Sequence, residues 1–477
     1  MTTLFEAVNA NAVTANGAVT NASSLNKCVD LFFLIGASRG KDITPTFVSA
    51  FVEDAEVAAR ILQYSRDIRG GAGERETFRK LFTYVLKNEP EIASRLMVKI
   101  PEIGRWDDLF TAFGTPLERE ALRMIAFALN EVKDGLCAKW MPRQGPEANK
   151  IRAYMRLTPK AYRQLLVGLS STVEQLMCAQ DWTAITYPHV PSVAAGRYQK
   201  AFGKHDPAGY GKFKEKLVTG EVKINASAVY PYDVVRSLKN GDKIVANAQW
   251  AALPNYLEGT NENILPVVDV SGSMTCAASG SVSCLDVAVS LGLYTSERMG
   301  GVFKDQFVTF SGSPTMVHLK GDLSQRYAQM SSADWAMNTD LGAVFKLLLN
   351  SAVKHKVAQT EMPTKILILS DMEFDQCVSI GGKNAGNRYA NSGASPVSVS
   401  AMEFIEKEYE AAGYKIPQVV FWNLNGRAGN SPVTYNKTGT ALVSGFSPSI
   451  LKSVLGGKEM TPISVMLETV MVARYDF

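Results

Sequence analysis

Two hydrophobic periods divide the chain. From Pro45 onward, apolar residues recur at helical spacing: Phe47, Phe51, Val57, Ile61 and Leu62, then Phe78, Leu81, Phe82 and Val85. The spacing predicts helices over 74–87, 91–98, 106–113 and 116–133, interrupted at Gly70-Gly71, Pro90, Pro101, Gly104 and Gly114-Thr115-Pro116. Short helices joined by short turns predict an all-α module over 45–260, a HEAT-like helical-repeat array or an α-bundle. Past 260 the pattern changes to apolar runs of strand length alternating with helical stretches. Strands are expected at 264–270, 306–311, 366–371, 416–423 and 440–446, and helices at 283–299, 339–353, 401–412 and 447–455. That alternation predicts a doubly wound α/β domain over 261–477. Residues 1–26, rich in Asn, Ala, Thr and Val, read as the start of an arm over 1–44. They suit a mobile segment or an extended strand on a neighbour.

The strongest chemistry lies at the end of the first strand. Ile264-Leu265-Pro266-Val267-Val268 runs into Asp269-Val270-Ser271-Gly272-Ser273. Open α/β sheets place ligands beyond the carboxyl ends of their strands. One carboxylate and two hydroxyls offer hard oxygens to a small hard cation, and Mg2+ takes few protein ligands while keeping several waters. The bland alternative is a capped strand-to-helix turn.

Asn338-Thr339-Asp340-Leu341 opens a later helical pattern, and Ile366-Leu367-Ile368-Leu369-Ser370-Asp371 is a second apolar strand ending in Asp. In this order the three stretches resemble the von Willebrand factor A domain and its metal-ion-dependent adhesion site (MIDAS). The resemblance implies Mg2+ (or Mn2+) held by Asp269, Ser271, Ser273, Thr339 and Asp371, with the shell completed by an acidic group from a protein partner. Asp340 reads as a helix N-terminal charge and Asp375 as an outer or solvated group, while Met372 and Trp422 read as core.

Charge separates the two halves. Residues 1–250 carry 33 Lys+Arg against 26 Asp+Glu, whereas 251–477 carry 17 against 20. The excess lies within 151–250, with 14 basic against 7 acidic residues, which favours an anionic partner there. Candidate phosphate contacts are Arg69, Arg75, Lys139, Arg143, Arg152, Arg156, Lys160, Arg163, Lys204 and His205. Trp and Tyr interleaved among them could stack unpaired bases. The alternative is a solvated helix face with its aromatics packed inside. Arg69-Gly70-Gly71-Ala72-Gly73-Glu74-Arg75 lacks the Gly-Lys-Ser/Thr of a P-loop, so it is a phosphate-cradling turn or a tight interhelix turn. With Gly104-Arg105-Trp106-Asp107-Asp108-Leu109, it resembles the helical module of the Ro autoantigen (TROVE) class. It is closer still to a related family of uncharacterised proteins found in microbes, viruses and eukaryotes. The resemblance spans about residues 45–457. It implies a helical ring that binds RNA, structured or single-stranded, followed by the A domain in a ribonucleoprotein.

Composition excludes several classes. The six cysteines form no Cys-x-x-Cys pair and the four histidines no His-x-x-x-His pair, which argues against zinc and against a disulfide framework. No secretory signal and no membrane span of about 18 apolar residues is visible, so a cytoplasmic location is expected, in a host cytoplasm or virion if the source is viral. His205-Asp206 has no partner nucleophile, and no general base or second metal cluster accompanies Asp269 and Asp371, so no enzyme is expected. The reading is an RNA-binding, Mg2+-binding scaffold. Its rivals are a protein-binding scaffold without RNA, a viral particle or assembly component, and a metal-dependent hydrolase.

Overall fold

The computed structural model describes residues 11–14, 19–226, 228–240, 242–279, 282–311, 313–333, 339–374, 401–427, 429–455 and 460–477. Two compact units emerge: residues 1–39 with 255–469, and residues 40–254 with 470–477. The divisions expected at 44/45 and 260/261 thus sit close to the unit boundaries, but each chain end joins the unit remote from it in sequence. The expected Asp375 and the Gly/Asn/Ser-rich stretch 381–395 lie outside the described residues.

The first unit is built on a sheet. The described strands are β1 (Asn11–Val13), β2 (Val19–Asn21), β3 (Ile264–Val268), β4 (Ala277–Ser279), β5 (Val282–Ser283), β6 (Gln306–Thr309), β7 (Met316–His318), β8 (Lys365–Ser370), β9 (Gln418–Asn423) and β10 (Thr440–Ser444). Six of them form one sheet in the order β10-β9-β8-β3-β6-β7, parallel except for the β7 edge. β3, β8 and β10 are buried along their whole length, as a sheet covered on both faces requires. From β3 the chain crosses to β6 on one side and later returns to β8 on the other. Right-handed crossovers therefore send the helices that follow β3 and β8 to opposite faces, opening a crevice beyond the carboxyl ends of these two strands.

Pro266 sits within this central sheet without breaking it. The Asp269 N–H donates to the Leu369 carbonyl, so odd-numbered residues of β3 donate toward β8 and even-numbered ones toward β6. The missing N–H of Pro266 faces β6, where pairing starts only at Val267.

Part of the expected arm is a structural element of this unit. Lys27–Ile35 is a helix, N-capped by Asn26, and it packs against β10. The Ser444 hydroxyl donates to the Phe32 carbonyl and accepts from the Gly36 N–H, and Asn423 Nδ2 donates to the Phe33 carbonyl. A Cβ on Gly36 would lie 2.3 Å from the Ser444 carbonyl oxygen, so only glycine fits there. Cys28-Val29 and Leu31 through Ile35 are all buried, leaving no polar face and no amphipathic period to read. β2 is bridged to Ser431 in the same unit.

The second unit is helical. Thr44–Glu53, Ala55–Arg66, Arg75–Asn88 and Pro90–Ile103 pack in successive neighbours. Asp54 ends the first helix and caps the next through the Val57 N–H. The helix expected over 116–133 stops at Phe127, continues as a π turn over Ala128–Val132 and ends at Lys133 in the left-handed region. The basic stretch is two helices, Pro146–Tyr154 and Pro159–Leu169, and Thr158 starts the second by capping the Ala161 N–H ahead of Pro159. Among the described residues no helix is long and apolar enough to cross a membrane.

Candidate functional site

β3 and β8 bring their terminal carboxylates into one polar network at the crevice. Asp269 is fully buried; its Oδ1 accepts the Ser271 N–H at 2.9 Å and its Oδ2 the Ser370 hydroxyl at 2.7 Å. The Ser271 and Ser273 hydroxyls lie 3.0 Å apart, and Ser273 is near enough to Asp371 to favour its ionised form. Asp371 is 1% exposed, with Oδ1 accepting the Glu373 N–H and Oδ2 buried without a hydrogen-bond partner. The Thr339 hydroxyl donates to the Glu373 carbonyl at 3.0 Å, which sets the fifth expected residue beside the same turn. Met372 has a φ of 64°, a left-handed backbone uncommon for a bulky residue and of the kind that clusters at functional sites.

The electrostatics follow from burial. Loss of water pushes the Asp269 carboxyl up to about 6, opposed by the Ser271 and Ser370 hydrogen bonds and reinforced by the charge on Asp371. Burial also raises Asp371, against the Glu373 N–H and Arg427. Arg427 Nη1 lies 3.1 Å from Glu373 Oε1 and its Nη2 3.9 Å from Asp371 Oδ2. A buried carboxylate oxygen with no hydrogen-bond partner, on a residue whose charge a second buried carboxylate feels, suits a hard divalent cation. Among the described residues no cluster of three His, Cys, Asp or Glu groups of metal-binding type occurs, so hydroxyls would have to complete such a site.

Asp340 is the N-cap of the helix Leu341–His355, its carboxylate accepting the Ala343 N–H. Met372 and Trp422 are core, at 1% and 0% exposure. Spacing alone did not reveal Arg427, Glu373 or Ser370. Nor did it pair Cys276 with Cys284, whose sulfurs lie 3.4 Å apart beside this crevice.

In the helical unit the ten candidate phosphate contacts do not share one face of one helix. Arg69 is exposed with Nη1 on the Glu102 carbonyl, and Arg75 is exposed and paired with Glu76. Lys139 is half-buried 5.5 Å from the Trp140 ring, which Arg105 covers at 3.7 Å. Arg143, Arg156, Lys160, Arg163, Lys204 and His205 are exposed, and half-buried Arg152 donates to Asn149. Arg156 occupies the turn between the two basic helices with a φ of 55°. Most of the interleaved aromatics are core: Tyr162, Tyr187, Phe202, Tyr210 and Phe213 are buried, the last four clustered together. Tyr154 remains 39% exposed, and Trp182 stacks on His205 at 4.4 Å. Asp206 caps the Gly209 N–H and accepts the Tyr187 hydroxyl, so the His205-Asp206 neighbours are a stacking residue and a cap. A cavity of about 400 Å³ in the same basic region is lined by Ser192, Arg197, Gln199, Asp233, Arg236 and Gln249. Its residues are separated by up to 57 positions, so no local motif announces it.

The glycine-rich turn is architectural. Gly73 has a φ of 71°, and a Cβ there would lie 1.9 Å from the Tyr230 hydroxyl oxygen. Asp67, fully buried, accepts the Arg69 N–H, Arg474 Nη2 at 2.9 Å and the Tyr475 hydroxyl at 3.0 Å. Burial alone pushes this carboxyl up, but Arg474 holds it below the usual carboxylate range. Arg66 Nε and Arg79 Nε each lie 2.7 Å from Asp108, joining the turn to the Gly104–Leu109 segment.

Residues 263–471 match a family model described as a domain of unknown function (DUF7788), and residues 14–100 and 125–261 match another (DUF2828). Among solved structures the chain is similar to the Ro (RSR) protein of Deinococcus radiodurans. The TM-score is 0.43 and the identity 12%, over 94% of this chain and 99% of the other. That likeness is too distant to carry the properties of one protein to the other. The chain is also 29% identical to an uncharacterized protein, L728, of Acanthamoeba polyphaga mimivirus, over 95% of this chain and 86% of that protein. A relative that spans nearly the whole chain is thus a viral protein.

Proposed function

We propose that the chain is a non-enzymatic scaffold with two binding functions. The sheet unit, as an A-type domain, holds Mg2+ (or Mn2+) at Asp269, Ser271, Ser273, Thr339 and Asp371, and offers it to an acidic group of a protein partner. The observation that carries this reading is Asp371 Oδ2, a buried carboxylate oxygen with no hydrogen-bond donor, in a network with Asp269, Ser271 and Ser273. A bound cation would supply a Lewis-acidic point at the crevice. Asp269 and Asp371 would contribute charge, and the Ser271, Ser273 and Thr339 hydroxyls would complete the oxygen shell.

The helical unit, in this reading, binds RNA through exposed cations of its basic region, with Tyr154 and Trp182 as stacking surfaces. Calorimetry with Mg2+ and Mn2+ tests the metal half: wild type binds and Asp269→Ala does not, with the fold unchanged. Equal binding by both proteins would sink it. A high 260/280 nm absorbance ratio of the purified protein, abolished by RNase, is expected from the RNA half. A protein scaffold without RNA predicts a ratio that RNase does not change.

A further inference from the structure

The crevice holds more negative charge than its hydrogen bonds settle. Asp269, Asp371 and Glu373 are each less than one-tenth exposed. Arg427, on the loop after β9 and with a side chain 42% exposed, faces Asp371 and Glu373. Asp371 and Glu373 share this guanidinium. The guanidinium is bonded to Glu373 at 3.1 Å but only approaches Asp371 Oδ2, at 3.9 Å. Its Nη2 thus lies nearest the Asp371 oxygen that is buried without a hydrogen-bond partner.

We propose that Arg427 is a resident counter-cation that the metal displaces from Asp371, and that it then becomes the second anchor for the ligand's carboxylate. This rests on the metal reading above. Without metal, Arg427 partly neutralises Asp371. A divalent cation on Asp371 Oδ2 repels the guanidinium, and each weakens the other's hold on that oxygen. The Glu373 pair keeps the released side chain at the rim rather than letting it leave. A planar carboxylate arriving there gives one oxygen to the metal and the other to Arg427, a geometry a guanidinium fork suits and a lysine ammonium does not. Metal and acidic ligand thus bind with positive coupling that passes through one side chain.

Electron paramagnetic resonance of free Mn2+ tests this on the full chain, with acetate as the carboxylate probe and chloride as its control. Removing the resident charge in Arg427→Gln should tighten Mn2+ binding about two- to fivefold, the range of a partly exposed ion pair. Acetate should tighten Mn2+ binding to wild type, and do so more strongly than in Arg427→Gln, where only the metal is left to hold it. Arg427→Lys should keep wild-type Mn2+ affinity and show a smaller acetate effect than wild type. Equal Mn2+ affinity in wild type and Arg427→Gln overturns the proposal and leaves the metal site standing. So does an acetate effect as large in Arg427→Gln as in wild type. If folded wild type and Arg427→Gln both leave Mn2+ free, the metal reading itself fails and the displacement falls with it. Asp371→Asn, expected to bind no Mn2+, ties any binding seen to this crevice.

Discussion

Arg66 and Asp108 form an ion pair at 2.7 Å with side chains 1% and 0% exposed. Arg66 ends one helix and Asp108 lies in the 3-10 segment Trp106–Ala112, so the pair ties two helical neighbours together. Asp108 also takes Arg79 Nε and the Arg105 N–H. A buried pair is a weak source of net stability, but breaking one leaves a desolvated charge. Asp108→Ala should therefore destabilise the protein by about 3–5 kcal/mol. Asp108→Asn, which keeps the acceptor for Arg105, should cost less. Urea unfolding followed by circular dichroism measures both. A loss below about 1 kcal/mol for Asp108→Ala would show that water reaches the site.

This pair also marks what could be read from residues alone. The helical period of Phe78, Leu81, Phe82 and Val85 and the apolar strands ending at Asp269 and Asp371 were legible, because each is a local pattern with its own geometry. The turn over Arg69–Arg75 was legible as a motif but ambiguous in role. Gly71 is explained by the Tyr64 backbone carbonyl and Gly73 by the Tyr230 hydroxyl, and Asp67 by Arg474, more than 400 positions away. Lys27–Ile35 was missed because a helix buried all round has no polar face. Arg427 was missed because a lone Arg in a loop has no period at all.

The packing of that helix on β10 has a practical consequence. Residues 262–477 taken alone lack Lys27–Ile35 and so expose the β10 surface, with Ser444 and Asn423 deprived of the acceptors at Phe32 and Phe33. The fragment should aggregate or melt well below the full chain, and adding residues 11–39 as a separate peptide should restore it. Gly36→Ala in the full chain should lower the melting temperature, because its methyl group meets the Ser444 carbonyl. A stable, soluble 262–477 fragment would mean that the N-terminal helix is dispensable.

Asp269 makes metal-free stability depend on pH. Its folded pKa is about 6 against an ordinary value of 3.8, so the folded state binds more protons between these values than the unfolded state does. The group's contribution is then fully present below about pH 4 and lost as pH rises through about 6. About two pK units correspond to roughly 3 kcal/mol. Asp269→Asn should therefore stabilise the chelator-treated protein at pH 8 by about 1–3 kcal/mol and change little at pH 4. The same variant should lose the thermal shift that Mg2+ gives wild type, because only the ionised carboxylate serves a hard cation. Melting curves at the two pH values, with chelator and with Mg2+, separate the effects. A variant that is less stable at pH 8 would mean that Asp269 is held ionised by something other than a metal.

RNA binding makes the sharpest demand on the helical unit. Arg156, Lys160 and Arg163 are exposed across the turn and start of Pro159–Leu169, and Arg152 lies on the helix before it. None of the four has an ion-pair partner among the described residues, whereas Lys150 beside them is held by Glu118 at 2.6 Å. Neutralising phosphates releases counterions, so affinity should fall steeply with salt. Replacing all four by Gln should weaken RNA binding by roughly 2 kcal/mol or more and flatten the salt slope by about the number of phosphates no longer neutralised. Tyr154→Ala should weaken binding to single-stranded RNA by about 1–3 kcal/mol and leave duplex binding unchanged, because a duplex hides its base faces. Lys150→Gln is the matched control, expected to be near neutral for RNA because its charge is already paired. Asp269→Ala should leave RNA affinity intact, since its side chain belongs to the other unit. Filter binding across a salt series reads all of these. A salt slope unchanged in the fourfold variant would move the RNA surface away from these two helices, toward the cavity lined by Arg197 and Arg236. No binding of any RNA by wild type would leave the basic region without its proposed ligand and favour a scaffold that binds proteins alone.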